Sequence, residues 1–227
     1  QRMASRNAII RSLPSVETLG SVTVICSDKT GTLTRNQMTV RNVTLARNQF
    51  EVSGQGYNPE GTFHDSEREF SCLLFQEGKI QCDHYPDLMV LARAGLYCND
   101  AALDHVDGTW QVQGDPTEGA LLVLARKAGL DLQAELEKMP RIDSVPFNSE
   151  HRYMATLHVP RGGGAGCIYV KGAPERLLRM CQGQQNGAET GPLDEAFWHD
   201  RVRQIARQGQ RTLALAYKKA ALDMRGL

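Results

Sequence analysis

The sequence lacks several features that mark particular classes of protein. Its 26 basic and 26 acidic residues give a formal net charge of zero, which argues against a nucleic-acid partner and against an anionic membrane surface. No apolar run approaches the roughly 18 residues that a membrane-spanning helix requires, and no signal-peptide pattern opens the chain. The six cysteines form no C-x-x-C pair, and the six histidines show no H-x-x-x-H spacing. We therefore expect reduced thiols in a cytosolic setting, with neither a disulfide framework nor a cysteine or histidine metal site.

What is present is typical of a globular chain with mixed secondary structure. Hydrophobic residues make up 41% and charged residues 23% of the 227 residues, which suits one large domain or one and a half ordinary ones. Apolar spacing predicts helices at 86 to about 99, 115–129, 131–139, 173–181 and 193–208, the second capped by Asp115 with Pro116 at its first position. Shorter runs predict strands at 38–45, 49–53, 110–112, 142–147, 154–159, 167–170 and 212–217. Residues 62–82 give no clear pattern, and the glycine-rich stretch 160–166 is predicted to be a hairpin connection rather than a phosphate loop.

The most specific stretch surrounds Asp28. It follows a β-branched run, 22–25, that we expect to form a short buried strand. A carboxylate at the carboxyl end of such a strand lies where open α/β sheets present their ligands, and it can attack phosphorus to give an aspartyl phosphate. Lys29 can offset the charge of a phosphate, while the threonine hydroxyls and the backbone N–H groups of the turn can bind its oxygens. For the five residues D-K-T-G-T alone, a plain polar turn after a strand explains the pattern about equally well.

The longer string from Asp28 to Thr34, followed by Asn36, Met38 and Thr39, resembles the phosphorylation signature of the P-type cation-transporting ATPases. In the wider haloacid-dehalogenase-like class, a second aspartate usually stands two residues after the nucleophile, and here that position is Thr30. Threonine is a poor proton shuttle at neutral pH, so a long-lived phosphoenzyme is favoured over rapid hydrolysis, as an ion pump requires. The resemblance implies Asp28, Lys29 and Thr30 as catalytic residues, and Asp28 and Thr30 as magnesium ligands in the intact protein.

Four later stretches offer groups suited to a nucleotide. At a predicted strand-to-helix junction, Lys171 supplies a compact charge, and Gly172 lacks a Cβ that would keep a ligand from the backbone. Phe147 ends a predicted strand, where its ring can stack on a purine. Glu118 and Arg211 lie in two further stretches, 114–120 and 210–214. Each residue alone is weak, because such a phenylalanine is usually in the core and such an arginine is usually on the surface.

Together, and in this order after Asp28, these stretches resemble the nucleotide-binding domain of the same family. In its calcium-pump-like branch, the residues matching Lys171, Phe147, Glu118 and Arg211 line the adenosine pocket, stack on adenine, contact the adenine amino group and reach the phosphates, respectively. The string Cys98-Asn99-Asp100 also matches this branch, without a physical role that we can assign from the sequence.

One position departs from the branch. An arginine often stands two residues after the phenylalanine, and here that position is Ser149. Arg152 is therefore included as a candidate nucleotide contact in its place.

The resemblance covers nearly the whole chain and implies an α+β fold, with a mainly antiparallel twisted sheet flanked by helices. It divides the chain into a stalk and phosphorylation-domain segment, 1–37, which is a fragment of a Rossmann-like domain, and a nucleotide-binding domain, 38–227. The family's later T-G-D and G-D-G-x-N-D motifs are not in the sequence, so we expect a central fragment of the pump.

The resemblance also implies partners and a location. These are ATP and Mg²⁺, the remaining phosphorylation, actuator and membrane domains of the same chain, and the cytoplasmic side of a membrane. Calcium is the cation that similarity favours, although sodium, potassium or protons remain open. Two other functions also stay open, namely a haloacid-dehalogenase-like phosphatase or phosphotransferase and a non-catalytic nucleotide-binding module.

Overall fold

The computed structural model describes residues 21–24, 26–28, 34, 36–65, 85–221, 224 and 226–227. By its internal contacts the chain divides into two units, Gln1–Asn36 and Gln37–Leu227. No helix of the described ranges is long and apolar enough to span a membrane.

In the first unit, the predicted buried strand at 22–25 is wrong for the residues that the structure describes. Val22 and Val24 are 45% and 74% exposed, and residues 21–24 form no strand. A strand needs a neighbour to take its backbone hydrogen bonds, and none of the described strands pairs with this segment. Ile25 lies outside the described residues.

The second unit mixes antiparallel strands with helices, which confirms the predicted α+β class. Its strands are β1 (Asn42–Thr44), β2 (Gln49–Val52), β3 (Phe63–Asp65), β4 (Ala102–Val106), β5 (Thr109–Gln113), β6 (Arg141–Asn148), β7 (Tyr153–His158), β8 (Cys167–Gly172), β9 (Gly183–Asn186), β10 (Glu189–Pro192) and β11 (Ala214–Lys219). Its helices are α1 (Pro86–Tyr97), α2 (Pro116–Lys127), α3 (Leu132–Lys138), α4 (Pro174–Leu178) and α5 (Glu195–Arg207).

Two larger sheets organise these elements. A four-stranded sheet has the order β11-β8-β7-β6, and a three-stranded sheet has the order β1-β2-β3. Every neighbouring pair in both is antiparallel. The glycine-rich stretch 160–166 connects β7 to β8 as a hairpin, as predicted.

Helix α1 packs against both sheets because it has two apolar faces. Leu88, Ala92 and Leu96, spaced four residues apart, lie in the core cluster that includes the three-stranded sheet. Tyr97 and Cys98, at the end of the helix, lie in a second cluster with residues of β7 and β8. The end of α1 is thereby held against the four-stranded sheet.

Helix α2 begins where the sequence predicts. The Asp115 carboxylate accepts hydrogen bonds from the backbone N–H groups of Thr117 at 2.7 Å and Glu118 at 3.3 Å. Pro116 occupies the first turn, where a missing N–H costs nothing. This cap places Glu118 in the first turn of α2.

The predicted helix at 173–181 is too long, and the hairpin after it is missed. Helix α4 ends at Leu178, and β9 and β10 pair across a two-residue connection, Gly187-Ala188. Gly187 has φ = 67°, which is the conformation that a tight hairpin turn asks of glycine. Its N–H donates to the Asp87 carboxylate at 3.2 Å, so a contact with distant α1 supports the turn.

Candidate functional site

The register of the four-stranded sheet brings four strand ends into one row. Ala214 pairs with Gly172, Gly172 with Tyr153, and Tyr153 with Asn148. This row contains the start of β11, the end of β8, the start of β7 and the end of β6. The predicted nucleotide stretches around 147, 152, 171 and 211 therefore meet at one end of the sheet, which we call the ligand end.

Phe147 is prominent at the ligand end because its side chain is unusually accessible. It precedes Asn148 in a part of β6 where the register with β7 shifts between Val145 and Asn148. The residue is 60% exposed, whereas most large aromatic residues are buried. A ring in this position is available to stack on a planar ligand.

Lys171 and Glu118 form an ion pair just behind the ligand end. The Lys171 ammonium group donates to Glu118 Oε1 and, at 2.7 Å, to the backbone oxygen of Cys98. The side chains of Lys171 and Glu118 are only 8% and 14% exposed. An ion pair so shielded from water is a strong local constraint, because neither charge can lose its partner cheaply.

The turn 98–100 holds the same glutamate from its other side. The backbone N–H of Asp100 donates to Glu118 Oε2 at 2.9 Å, and the Asn99 side-chain amide donates to the Glu118 backbone oxygen at 2.9 Å. Asn99 Nδ2 also bonds to the backbone oxygen of Gly95 at 3.0 Å. A carboxylate has about four lone-pair sites, so Glu118 keeps acceptor capacity for a further donor.

Gly172 is required by the fold itself. A Cβ at this position would lie 2.4 Å from the backbone oxygen of Arg152 and 2.8 Å from Cα of Tyr153. The fold thus gives its own reason for the glycine, and close approach of a ligand to Gly172 stays a prediction. The backbone of Arg152 and Tyr153 occupies the space in which a Cβ would lie.

Arg152 and Arg211 are both exposed at the ligand end. Arg152 has φ = 60°, and its guanidinium pairs with the Glu175 carboxylate at 3.3 Å. Arg211 lies in the segment that leads into Ala214, the first residue of β11. The ligand end therefore carries two exposed arginines in addition to the buried Lys171, whose charge is paired with Glu118.

A buried aromatic cluster lies next to the turn 98–100, because Tyr97 immediately precedes the turn. Tyr97 and Tyr169 stack with ring centroids 4.9 Å apart, and His158 lies 4.9 Å from the Tyr97 ring. Burial lowers the pKa of His158 below its usual value, although hydrogen bonds to backbone oxygens oppose that change. Burial also raises the pKa of the Cys98 thiol, which Lys171 partly counters. Cys98 is thus a neutral packing group rather than a reactive thiol.

The proposed phosphorylation residues are only partly described. Asp28 is exposed and belongs to the first unit, while Lys29 and Thr30 lie outside the described residues. Within the described ranges, no group of three or more His, Cys, Asp or Glu residues is placed to hold a metal ion.

Sequence reasoning missed the way in which Glu118 is held. The string Cys98-Asn99-Asp100 was noticeable as a motif, and the structure supplies its role as the turn that binds both Glu118 and Lys171. Arg141, which contacts this turn, carried no signal in the sequence because a lone arginine before a strand is usually a surface residue.

Comparison with known proteins shows which proteins the chain resembles. A family model described as "P-type ATPase, cytoplasmic domain N" matches residues 87–224. The chain is 46% identical over 224 residues to the cation-transporting ATPase pma1 of Synechocystis. The matched region covers 96% of the chain and 23% of that relative. It is 43% identical over 216 residues to the probable cation-transporting ATPase F of Mycobacterium tuberculosis (94% and 22%). It is 36% identical over 229 residues to a calcium-transporting ATPase of Bacillus subtilis (96% and 24%). The chain thus spans under a quarter of the length of these three relatives.

Proposed function

Because the chain belongs to the P-type cation-transporting ATPases, we propose that its ligand end binds ATP within an ion pump. The adenine ring stacks on Phe147, and the Glu118 carboxylate accepts a hydrogen bond from the adenine amino group. Lys171 lines the adenosine pocket and holds Glu118, while Arg211 and Arg152 extend toward the phosphates. In this proposal residues 38–227 are the nucleotide-binding domain and residues 1–37 belong to the phosphorylation domain.

One observation carries the proposal most directly. An exposed residue, Phe147, lies at the same end of the sheet as Lys171, which holds the shielded Glu118 carboxylate. Stacking recognises a base without regard to its identity, and a hydrogen bond to an edge group then selects among bases. The combination suits a purine that carries an exocyclic amino group.

Phosphoryl transfer in the intact protein is assigned to Asp28. Its carboxylate oxygen forms a bond to the γ-phosphorus, the bond from that phosphorus to the β–γ bridging oxygen breaks, and ADP leaves. Lys29 offsets charge on the phosphoryl oxygens, and Thr30 stands where a phosphatase has its proton-transferring aspartate. Magnesium, with Asp28 and Thr30 among its ligands, belongs to the same proposal as a cofactor that neutralises phosphate charge.

The transported ion is proposed from the relatives alone. The Bacillus subtilis relative is named for calcium transport, and the other two are named for cations in general. Calcium is therefore the first cation to test, with transport coupled to the aspartyl phosphate from the cytoplasmic side of the membrane.

The decisive experiment is a phosphorylation assay on the full-length ATPase. With ATP radiolabelled at the γ-phosphate and an acid quench, we expect stable label on the wild-type protein and none on Asp28→Asn. A haloacid-dehalogenase-like phosphatase would release phosphate without accumulating label, and a non-catalytic nucleotide module would do neither. Either of those outcomes would overturn the assignment as a pump.

A further inference from the structure

Arg141 ties Asn99 and Asp100 of the turn 98–100 to the four-stranded sheet, as Lys171 ties Cys98. It is the first residue of β6, and its guanidinium donates to the Asp100 carboxylate at 2.5 Å and to the backbone oxygen of Asn99. A third contact reaches the backbone oxygen of Tyr97 at 3.5 Å. The planar fork of arginine suits several acceptors at once, which lysine cannot match. The side chains of Arg141 and Asp100 are 31% and 56% exposed, so the bonds to backbone oxygens, and not the ion pair alone, hold the turn.

The turn that Arg141 holds is the one that orients Glu118. Asp100 bonds Glu118 Oε2 through its N–H at 2.9 Å, and Asn99 bonds the backbone of the same residue at 2.9 Å. The oxygen of Cys98 meanwhile takes one hydrogen bond from Lys171 at 2.7 Å. Without the guanidinium, Asp100 and the backbone oxygen of Asn99 lose their cation, and Lys171 holds the turn at Cys98 alone.

We propose that Arg141 is a positioning residue for base selection: through the turn 98–100 it holds Glu118 where the carboxylate accepts a hydrogen bond from the adenine amino group. This inference rests on the proposed function of the ligand end. Arg141 itself need not touch the nucleotide. Its effect is on discrimination, because a misplaced acceptor loses the bond to an amino group but leaves stacking on Phe147 intact.

The test compares ATP with ITP, whose base carries an oxygen acceptor in place of the amino group. Each is titrated against the 227-residue chain and its Arg141→Gln variant. In the variant we expect ATP affinity to fall about five- to tenfold, because the displaced carboxylate weakens its hydrogen bond to the amino group, with ITP affinity unchanged. The preference for ATP then shrinks by the same factor. Arg141→Lys, which keeps the charge but not the fork, should restore only part of it.

Two further variants separate positioning from general damage. Arg161→Gln removes another exposed arginine and should leave both affinities as they are. Asp100→Asn keeps the backbone N–H that bonds Glu118 but removes the negative charge that pairs with Arg141, so it should reduce the ATP preference and serves as the test should Arg141→Gln fail to fold.

The outcomes distinguish this inference from the function on which it rests. A wild-type chain that prefers ATP, together with folded Arg141→Gln and Asp100→Asn variants that keep the same preference, overturns the role of Arg141 alone. Equal losses for ATP and ITP in these variants overturn it as well, since they indicate a merely structural contribution. A wild-type chain that binds ATP and ITP equally overturns the proposed adenine contact, and the role of Arg141 with it.

Discussion

Lys171 and Glu118 form an ion pair with side chains only 8% and 14% exposed. Removing one partner of such a pair leaves a poorly solvated charge behind, which typically costs about 3–5 kcal/mol. We therefore expect Lys171→Met to lower the free energy of unfolding by about that amount, as measured by urea denaturation. The double variant Lys171→Met/Glu118→Gln should recover part of the loss, because no charge is then stranded.

The exposed pair Arg152–Glu175 is a matched control for that prediction. Its side chains are 63% and 54% exposed, and surface pairs of this kind contribute about 0–1 kcal/mol. Glu175→Gln should accordingly change stability little. Equal losses from Lys171→Met and Glu175→Gln would contradict the importance assigned to burial.

Phe147 is expected to act on the base and on nothing else. Phe147→Ala should weaken binding by about 1–3 kcal/mol, the range for base–aromatic stacking, or roughly five- to hundredfold. The loss should be nearly the same for adenosine, AMP and ATP, and can be read from fluorescence or chemical-shift titrations. Because the ring is 60% exposed, the free energy of unfolding should barely change.

Another exposed apolar side chain on the same strand provides the control. Ile142 is 45% exposed, and Ile142→Ala should leave all three affinities unaltered. If Phe147→Ala spared adenosine while greatly weakening ATP, the adenine pocket would have to lie elsewhere.

Local signals predicted most of the fold. The start of α2 follows from Asp115 and Pro116, which act within one turn of the helix. The β9–β10 hairpin escaped prediction because its turn is supported by Asp87, a residue far away in the sequence. The strand expected at 22–25 failed for a related reason, since a β-branched run favours a strand but supplies no partner for its backbone hydrogen bonds.

The candidate site could be proposed from the sequence as a set of residues, but its arrangement could not be predicted. Motifs identified Phe147, Lys171 and Glu118, and sheet register then accounts for why such separated stretches meet. The pairing of Lys171 with Glu118 depends on α1, which packs against both α2 and β8 and ends in the turn 98–100, and no local pattern encodes that packing. The motif also identified Gly172, but it did not predict that a Cβ there would clash with the backbone oxygen of Arg152.

His158 should make stability depend on pH. Its ring lies between the backbone oxygens of Met139 at 2.8 Å and Tyr97 at 3.0 Å. The Tyr97 oxygen also accepts from Thr156 at 3.2 Å and from Arg141 at 3.5 Å, so a neutral imidazole that donates to Met139 leaves neither oxygen without a donor. Burial lowers the pKa of His158, and the folded state therefore resists protonation.

The sign follows from proton binding in the two states. Below about pH 6.5, the ordinary pKa of histidine, the unfolded chain binds a proton that the folded chain does not, so stability falls as pH falls. The free energy of unfolding then changes by at most about 1.4 kcal/mol per pH unit. At higher pH, His158 is neutral in both states and adds no pH dependence. Urea denaturation at several values between about pH 5.5 and 7.5 should show this slope in wild type and in His199→Gln, an exposed control. A slope that persists in His158→Gln would assign it to another group.

Arg211 is expected to act on the phosphates, which makes its effect separable from that of Phe147. Arg211→Ala should weaken ATP much more than adenosine, because only ATP carries the charge that an exposed guanidinium can attract. Added salt should reduce the difference between the two ligands, since exposed charges are screened over about 10 Å at 0.1 M ionic strength. Arg207→Ala removes an exposed arginine from the last turn of α5 and should leave the ratio of ATP to adenosine affinity unchanged. Titrations of both variants at low and high salt measure that ratio directly. An Arg211→Ala variant that lost adenosine and ATP affinity equally would place this residue beside the base, and the phosphates would then depend on Arg152 or on groups outside the ligand end.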